Sequence, residues 1–255
     1  MMNGKIDTVG IFVPCCIDQF DPQAAWKTIH LLEGLKLRCF YPTSITCCGK
    51  EFYNQGDYAN AKTLGEKMIE LYGDCSYVVS LSSGCIAYMQ RCFSKLFYNS
   101  TMHNSYRQFL DKCYDLSDFL VNVMHYEPSG VKFPHSVTIM DHCATSKDYS
   151  SAAHPERKGL REEPRKLLSA VEGLTLKEMP QNDVCCGFGG MFANQFTSIS
   201  DNLTQRKIDN ALVSGAEYIT STEPSCLMHL QSYINKTGIN IKCINLINIL
   251  VAENE

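Results

Sequence analysis

Residues 9–15 read Val-Gly-Ile-Phe-Val-Pro-Cys, and residues 137–143 read Val-Thr-Ile-Met-Asp-His-Cys. Each stretch is a short apolar run, rich in β-branched residues, that ends at a cysteine. Such a run predicts a buried strand, and the cysteine is then expected in the loop at the strand's carboxyl end. The two stretches begin 128 residues apart, which indicates that one structural unit occurs twice.

Three further blocks of sequence recur in the same order. The Cys-Cys-Gly of residues 47–49 returns at residues 185–187, residues 77–89 return at 218–230, and residues 112–121 return at 242–251. Chance explains four ordered repeats poorly, whereas small loop insertions explain the differences in spacing. The sequence therefore predicts a tandem duplication, with one cysteine-rich repeat over residues 1–128 and the other over residues 135–255.

Within each repeat, apolar runs of strand length alternate with amphipathic helical segments. The run at residues 77–81, for example, is followed by a helical pattern that continues through Tyr98. Alternation of this kind favours a parallel sheet. We therefore predict an α/β fold of two tandem-duplicated Rossmann-like modules with short parallel sheets, related by a pseudo-twofold axis. Residues 127–134, which contain two prolines and a glycine, are the predicted linker.

Composition and charge exclude several classes of protein. The chain has 255 residues, of which 45% are hydrophobic and 20% are charged, and its formal charge is −4. This composition is typical of a globular protein. The chain has no basic block that could follow a nucleic-acid backbone, so no nucleic-acid partner is expected. Because it also lacks a signal-like N-terminus and an apolar run of about 18 residues, we expect no membrane span and a cytoplasmic location.

The 14 cysteines are the unusual feature of the composition. A reducing compartment does not sustain disulfides, so cysteines there more often bind metal or carry out redox chemistry. The duplication selects eight of them because they recur between the repeats: Cys15, Cys47, Cys48, Cys85, Cys143, Cys185, Cys186 and Cys226. Four thiolates per repeat satisfy a tetrahedral zinc ion or a [4Fe-4S] cluster. Packing in the core is the alternative, but adjacent strand residues point to opposite faces, which disfavours a duplicated Cys-Cys pair.

The other six cysteines are expected to be structural. Cys113 and Cys243 also recur, but each stands just ahead of an amphipathic helix without a partner cysteine, so burial is predicted for both. The remaining four have no counterpart in the other repeat: Cys16, Cys39, Cys75 and Cys92.

Two histidines are candidate neighbours of the second metal site. His142 directly precedes Cys143, and His229 lies one helical turn beyond Cys226. A hydrogen bond from either imidazole could tune a bound metal centre. Neither histidine has a match in the first repeat, where Pro14 and Tyr88 stand, so a supporting role is favoured over ligation.

The cysteine pattern resembles the tandem CCG domains of heterodisulfide reductase B subunits and of glycolate oxidase iron–sulfur subunits, and most closely the lactate utilization protein A family. The segments that carry the resemblance are residues 12–15, 47–49, 83–85, 185–193 and 226–229. The resemblance implies an iron–sulfur redox subunit, and hence part of an oxidoreductase, that transfers electrons as L-lactate is oxidised to pyruvate. It also implies two partners, a ferredoxin-like iron–sulfur subunit and a third small subunit.

The same resemblance bears on the type of cluster. In the heterodisulfide reductases each repeat carries a noncubane [4Fe-4S] cluster, and a Cys-x-x-Cys pair supplies a fifth thiolate. Here Ser82 and Glu223 occupy the first position of that pair. The departure argues against the noncubane geometry and leaves an ordinary [4Fe-4S] cluster in each repeat, or Zn²⁺, as the expected cofactor. Glu223 then becomes a third candidate neighbour of the second site.

Two other functions stay open. One is a structural zinc–thiolate protein whose two sites hold loops in place for a partner. The other is a thiol–disulfide redox subunit, like heterodisulfide reductase, that uses Cys47 with Cys48 or Cys185 with Cys186. Neighbouring cysteines form strained rings, so this second alternative is disfavoured.

Overall fold

The computed structural model describes residues 8–44, 47–148, 162–182 and 184–252. Residues 1–7, on which the expectation of no N-terminal signal depends, lie outside the described residues, as does the C-terminal end of the second predicted repeat. The chain divides into two compact units, and the boundary in the continuous chain lies between Leu116 and Ser117.

The first unit contains a four-stranded parallel sheet in the order β2-β1-β3-β4. Its strands are β1 (Thr8–Phe12), β2 (Arg38–Phe40), β3 (Tyr77–Ser80) and β4 (Cys113–Asp115). Its helices are α1 (Cys15–Phe20), α2 (Pro22–Gly34), α3 (Lys50–Asn54), α4 (Tyr58–Leu71), α5 (Ser83–Phe97) and α6 (His103–Asp111). A short helix, α7 (Leu116–Asp118), and a π-helical turn (Phe119–Val123) follow β4, and from Ser117 onward this segment belongs to the second unit.

The second unit repeats this plan, with a parallel sheet in the order β6-β5-β7-β8. Its strands are β5 (Ser136–Ile139), β6 (Thr175–Leu176), β7 (Tyr218–Thr220) and β8 (Lys242–Cys243). Its helices are α8 (Cys143–Asp148), α9 (Glu162–Ser169), α10 (Met191–Gln195), α11 (Thr197–Val213), α12 (Pro224–Thr237) and α13 (Leu246–Leu250). The predicted fold class, two Rossmann-like modules with short parallel sheets, is confirmed.

The central strands are apolar because helices cover both faces of a parallel sheet. Val9, Ile11 and Phe12 of β1 are fully buried, as are Val78 and Val79 of β3. The sequence patterns at residues 9–14, 39–41 and 77–81 predict strands, and those that start at Pro22 and near Tyr58 predict helices. All five elements are present. Their patterns predicted them correctly because an unbroken apolar run and a proline at a helix start are local signals.

The last strand of each sheet was not predicted. Cys113 begins β4 and Cys243 ends β8, so both cysteines lie on strands that lead into the expected helices. Cys113 is fully buried, as predicted, whereas Cys243 is only partly buried. These strands have three and two residues, too few for an alternating pattern to be visible in the sequence.

The predicted linker, residues 127–134, belongs to the second unit and bonds to another segment of it. The backbone N–H of Phe133 donates to Glu172, and that of Glu172 donates to Val131. These bonds extend the pairing beside β6. Among the helices that the structure describes, none is long and apolar enough to cross a membrane.

The register of the central strands determines where the cysteine-bearing loops meet. In the first unit Phe12 at the end of β1 pairs with Ser80 at the end of β3. In the second, Ile139 of β5 pairs with Thr220 of β7. Because neighbouring parallel strands end at the same edge of a sheet, the loops that follow them converge there, where open α/β folds bind ligands.

Candidate cysteine-ligated centres

The first candidate centre brings together the four cysteines selected in the first repeat. Cys15 is the first residue of α1 and Cys85 is the third residue of α5. Cys47 and Cys48 lie in the loop that precedes α3. The sulfur atoms of Cys48 and Cys85 are 3.2 Å apart, and the Cys15 side chain hydrogen-bonds with that of Cys47.

The second candidate centre has the same construction. Cys143 is the first residue of α8 and Cys226 is the third residue of α12. The sulfur atoms of Cys186 and Cys226 are 2.7 Å apart, and Cys143 hydrogen-bonds with Cys185. All eight cysteines that the duplication selects therefore lie in two groups of four, and none of the 14 cysteines forms a disulfide.

Each group has a buried inner pair and a more accessible outer pair. Cys48 with Cys85, and Cys186 with Cys226, are buried. The outer cysteines are exposed or half-buried: Cys15, Cys47, Cys143 and Cys185. Each centre is therefore enclosed by protein on one side and open to solvent or to another protein on the other.

The glycine of each Cys-Cys-Gly turn has a backbone conformation that other residues rarely adopt. Gly49 has φ 90° and Gly187 has φ 87°, both in the left-handed region. In this conformation the backbone N–H of each glycine approaches the sulfur of the first cysteine of its pair, Cys47 or Cys185, at 3.4 Å. The turn therefore supplies a hydrogen-bond donor that stabilises a thiolate.

Contacts between the thiols make the first cysteine of each pair the more acidic one. The hydrogen bond from Cys15 lowers the pKa of Cys47 to about 7, and the same bond raises the pKa of Cys15. In the second unit the hydrogen bond from Cys143 holds the pKa of Cys185 well below its usual range. Since the thiolate is the form that binds metal, Cys47 and Cys185 are the cysteines best prepared to do so.

The second Cys-Cys-Gly turn is held against α11 by polar contacts. The hydroxyl of Ser200 donates to the carbonyl of Gly187, and that of Thr204 donates to the carbonyl of Cys186, both at 2.9 Å. His229 Nε2 lies 2.9 Å from the Thr204 hydroxyl, and burial lowers the pKa of this imidazole. His229 therefore stabilises α11 at the point where that helix bonds to the turn.

The other two candidate neighbours lie beside the cysteines. The charge of His142 contributes to the lowered pKa of Cys185. Glu223 is the N-cap residue of α12, is 1% exposed, and accepts a hydrogen bond from the Ser225 hydroxyl. In the first unit Ser82 is the corresponding N-cap, and its hydroxyl accepts from the backbone N–H of Cys85 at 3.2 Å.

A buried polar network behind the second centre was missed by the sequence reasoning. Lys207 is fully buried and donates to the backbone carbonyl of Asn182 at 2.7 Å. Asn182 donates to Asp141, which also receives both terminal nitrogens of Arg165 at 3.0 Å. The sequence does contain a signal for this network. Residues 200, 204 and 207 are polar and are spaced so that they lie on one face of a helix, whereas the first repeat has apolar or small residues at the equivalent positions.

The inner sulfurs of each group lie closer together than two ligands of one metal ion would. Among the described residues, no three or more of His, Cys, Asp and Glu are placed so that they could hold a metal ion. Two ligands of one tetrahedral zinc ion, each about 2.3 Å from it, would lie about 3.8 Å apart, whereas the inner pairs are 3.2 Å and 2.7 Å apart.

The chemistry of the residues nevertheless fits a thiolate-ligated cofactor. Each group offers four sulfur donors and a glycine N–H. In the first unit the Tyr88 hydroxyl is buried and has no hydrogen-bond partner among the described residues. It would lie 3.4 Å from a Cβ placed on Gly49, so it faces the Cys-Cys-Gly turn. A buried donor without a partner normally costs stability, and a cofactor sulfur there would accept its hydrogen bond.

Comparisons with known proteins agree with this class of site. The sequence profile of the CCG cysteine-rich domain matches residues 9–90 and 138–231, which contain all eight selected cysteines. A solved structure of a hypothetical protein from Helicobacter pylori superposes with a TM-score of 0.67 at 11% identity. It covers 99% of this chain, and the chain spans about half, 50%, of its length. That likeness supports the fold alone. The fold and the cysteines define a tandem CCG cysteine-rich protein.

Curated relatives specify the family further. "Lactate utilization protein A" of Bacillus subtilis (strain 168) is 32% identical over 243 residues, covering 95% of this chain and 98% of the relative. "Lactate utilization protein A 1" of Bacillus cereus (strain AH820) has the same identity and coverage. The chain therefore belongs to the lactate utilization protein A family, as its cysteine pattern predicted.

A Gly187→Ala substitution tests the packing of the turn. A Cβ there would lie 2.5 Å from the Ser200 carbonyl oxygen and 2.8 Å from the Thr204 hydroxyl. We expect the free energy of unfolding of the metal-free protein to fall by about 2–5 kcal/mol, from the left-handed conformation and the overpacking together. Gly238→Ala is the control, because Gly238 has φ 70° and open space around it, so only about 1–2 kcal/mol should be lost. Equal losses in chemical denaturation would contradict this packing.

The acidity of the thiols can be tested by alkylation of reduced, metal-free protein at several pH values, followed by peptide mass spectrometry. The rate at Cys47 should rise about tenfold per pH unit up to its pKa of about 7 and then level off, because the thiolate is the nucleophile. The rate at Cys185 should change little from about pH 5 to about pH 8, since its pKa lies below that range. Cys39 is the control: burial raises its pKa to about 11, so its rate should rise throughout. A Cys185 profile that follows Cys39 would refute the assignment.

Proposed function

We propose that this chain is the iron–sulfur redox subunit of a system that oxidises L-lactate to pyruvate. The observation that carries the proposal is the duplicated group of four thiols at the carboxyl ends of two parallel sheets. The 32% identity to "Lactate utilization protein A" over 95% of the chain supports the lactate pathway. The proposal assigns one [4Fe-4S] cluster to each repeat, within residues 1–128 and 135–255.

The eight selected cysteines are the proposed ligands, four for each cluster. In each unit the inner pair would hold the cofactor against the core, and the outer pair would close the site on its accessible side. Cys47 and Cys185 carry the lowered pKa values and would bind first as thiolates. The cluster itself would supply reversible one-electron transfer. Binding requires the inner sulfurs to separate, which rotation about the cysteine Cα–Cβ bonds permits.

The residues around the thiols have supporting roles in this proposal. Tyr88 would donate its hydroxyl hydrogen to the first centre, while His229 and Thr204 keep the second Cys-Cys-Gly turn in place. Glu223 would hold the start of α12, from which Cys226 projects. The partners proposed are a ferredoxin-like iron–sulfur subunit and a third small subunit, and the half-exposed outer cysteines are where electrons would pass between proteins. A reducing cytoplasm is the proposed location, since it keeps the thiols available as ligands.

A thiol–disulfide function is the second candidate, because the inner cysteine sulfurs lie so close together. Cys186 and Cys226 are 2.7 Å apart, nearer than the van der Waals contact of two sulfurs. If this chemistry operates, Cys186 with Cys226 is a better redox pair than the adjacent Cys185 and Cys186, whose bridging would form a strained ring. Structural zinc is the third candidate, since four thiolates suit it equally well.

Metal analysis of anaerobically purified protein separates these functions. The proposal predicts about eight iron and about eight sulfide per chain, and absorbance near 400 nm that bleaches on reduction. Cys48→Ser should remove one cluster and halve both contents, because Cys48 belongs to one centre only. Zinc without iron would favour the structural role. A redox-active protein without either metal would favour the thiol–disulfide role.

Cys92→Ser is the matched control for that substitution. Cys92 is half-buried on α5, two turns beyond Cys85, and has no counterpart in the second repeat. Its replacement should leave iron and sulfide unchanged. Equal loss in both variants would mean that the assay reports general instability rather than ligation.

The lactate assignment has a separate test in the host organism. Deletion of the gene should abolish growth on L-lactate as sole carbon source and leave growth on glucose unchanged. The wild-type gene and the Cys92→Ser variant should restore growth, whereas a Cys48→Ser/Cys186→Ser variant should not, because it lacks a ligand in each centre. Normal growth of the deletion strain on L-lactate would refute this role, whatever metal the protein binds.

A further inference from the structure

The helices that follow the two Cys-Cys-Gly turns have equivalent buried faces. A Cβ on Gly49 would touch Ala61 of α4, and one on Gly187 would touch Ser200 of α11, which aligns the helices with an offset of 139 residues. The buried positions then match throughout: Ala61 with Ser200, Gly65 with Thr204, Met68 with Lys207, and Ile69 with Ile208. The face towards the first centre is therefore small or apolar, while the face towards the second is polar and carries a cation.

Lys207 is placed in the interior of the second unit, close to the thiols. It is 0% exposed, and its ammonium donates at 2.7 Å to the carbonyl of Asn182, three residues before Cys185. Two turns of the same α-helix away, Ser200 bonds the carbonyl of Gly187. Ile208, Met179 and other apolar side chains pack around Cys186 and Cys226, so the inner thiols face an apolar environment in which a nearby charge acts more strongly than in water.

The anionic groups that act on Lys207 are the cysteines of the second centre and Asp141. A further buried carboxylate, Glu223 at the start of α12, accepts a hydrogen bond from the Ser225 hydroxyl. Burial lowers the pKa of Lys207, while the negative charges of Cys186, Cys226 and Asp141 oppose that effect. The Asp141 carboxylate is already held by two bonds from Arg165 at 3.0 Å. Arg165 also pairs with Glu178, whose side chain is 53% exposed and therefore screened by solvent.

Among the described residues, the first centre has no equivalent buried cation. Met68 stands where Lys207 does. Lys50 and Glu51 both act on the first cysteines, but with opposite signs and from partly exposed positions. Lys67, next to Met68, is exposed and bonds the backbone carbonyl of Ser44. The Tyr88 hydroxyl offers this centre a neutral dipole, which is weaker than a full charge in the interior.

We propose that Lys207 makes the two centres unequal: its buried ammonium gives the second cluster a more positive reduction potential than the first. Reduction adds negative charge to a cluster, and a desolvated cation stabilises that charge. A protein that has taken up one electron therefore holds it on the second centre. This inference rests on the proposed function, since it requires a redox cluster in each unit.

A redox titration of the cluster-loaded protein, followed by electron paramagnetic resonance and visible absorbance, tests the inference. Wild-type protein should show two transitions. Lys207→Met should shift only the more positive transition, and its midpoint potential should become more negative. The expected shift is at least a factor of ten in the ratio of reduced to oxidised cluster, which is about 59 mV for a one-electron couple. Lys207→Gln should do the same while keeping a donor for Asn182, which separates the charge from the hydrogen bond. The reciprocal Met68→Lys variant should shift the more negative transition upward.

Arg206→Met is the matched control. Arg206 precedes Lys207 on α11, carries the same charge and is exposed, so its removal should move neither transition. The inference is overturned if Lys207→Met and Lys207→Gln leave both potentials unchanged, if they move the more negative transition, or if Arg206→Met has an equal effect. Iron and sulfide are measured on every sample. Their absence from the wild-type protein would overturn the proposed function and this inference together, whereas loaded clusters with unmoved potentials would overturn the inference alone.

Discussion

The parallel pairing of two central strands is the constraint on which the rest of each unit depends. Phe12 pairs with Ser80, and Ile139 pairs with Thr220, so both strands of a pair end at one edge of their sheet. A cysteine placed shortly after each strand must then arrive at the same place as its partner. An antiparallel pairing would send the two loops to opposite edges. The strand register therefore brings the thiols together, and no attraction between the side chains is needed.

The Cys-Cys-Gly turn completes each group, and the helix that follows the turn decides its surroundings. A left-handed glycine lets the turn pass close to that helix, since any Cβ would meet the helix backbone. The helix contact then determines what the sulfurs face. In the first unit the contact is made by small residues and the space is filled by rings such as Phe97, which lies 2.8 Å from a Cβ on Gly65. In the second unit hydroxyls, an imidazole and an ammonium occupy the equivalent places.

Much of the fold could be predicted because its signals are local. The apolar run at residues 9–15 predicts a strand, and the proline at residue 22 predicts the start of a helix. Neither prediction needs information about residues far away in the chain. The edge strands β4 and β8 could not be predicted, since a stretch of two or three residues becomes a strand only by pairing with its neighbour. Residues 131–133 show the same limit: their composition is that of a linker, but their backbone bonds to Glu172 exist only in the folded chain.

The sequence by itself determined the duplication, the parallel α/β plan and the identity of the eight paired cysteines, because repetition and periodicity are properties of the chain alone. The tertiary structure decided which sulfurs touch: Cys186 meets Cys226 at 2.7 Å, 40 residues away, rather than pairing with its neighbour. It also decided that Lys207, an ordinary surface residue by composition, lies buried behind one centre and not the other. Burial of a charge depends on every element packed around it, and no local pattern records that.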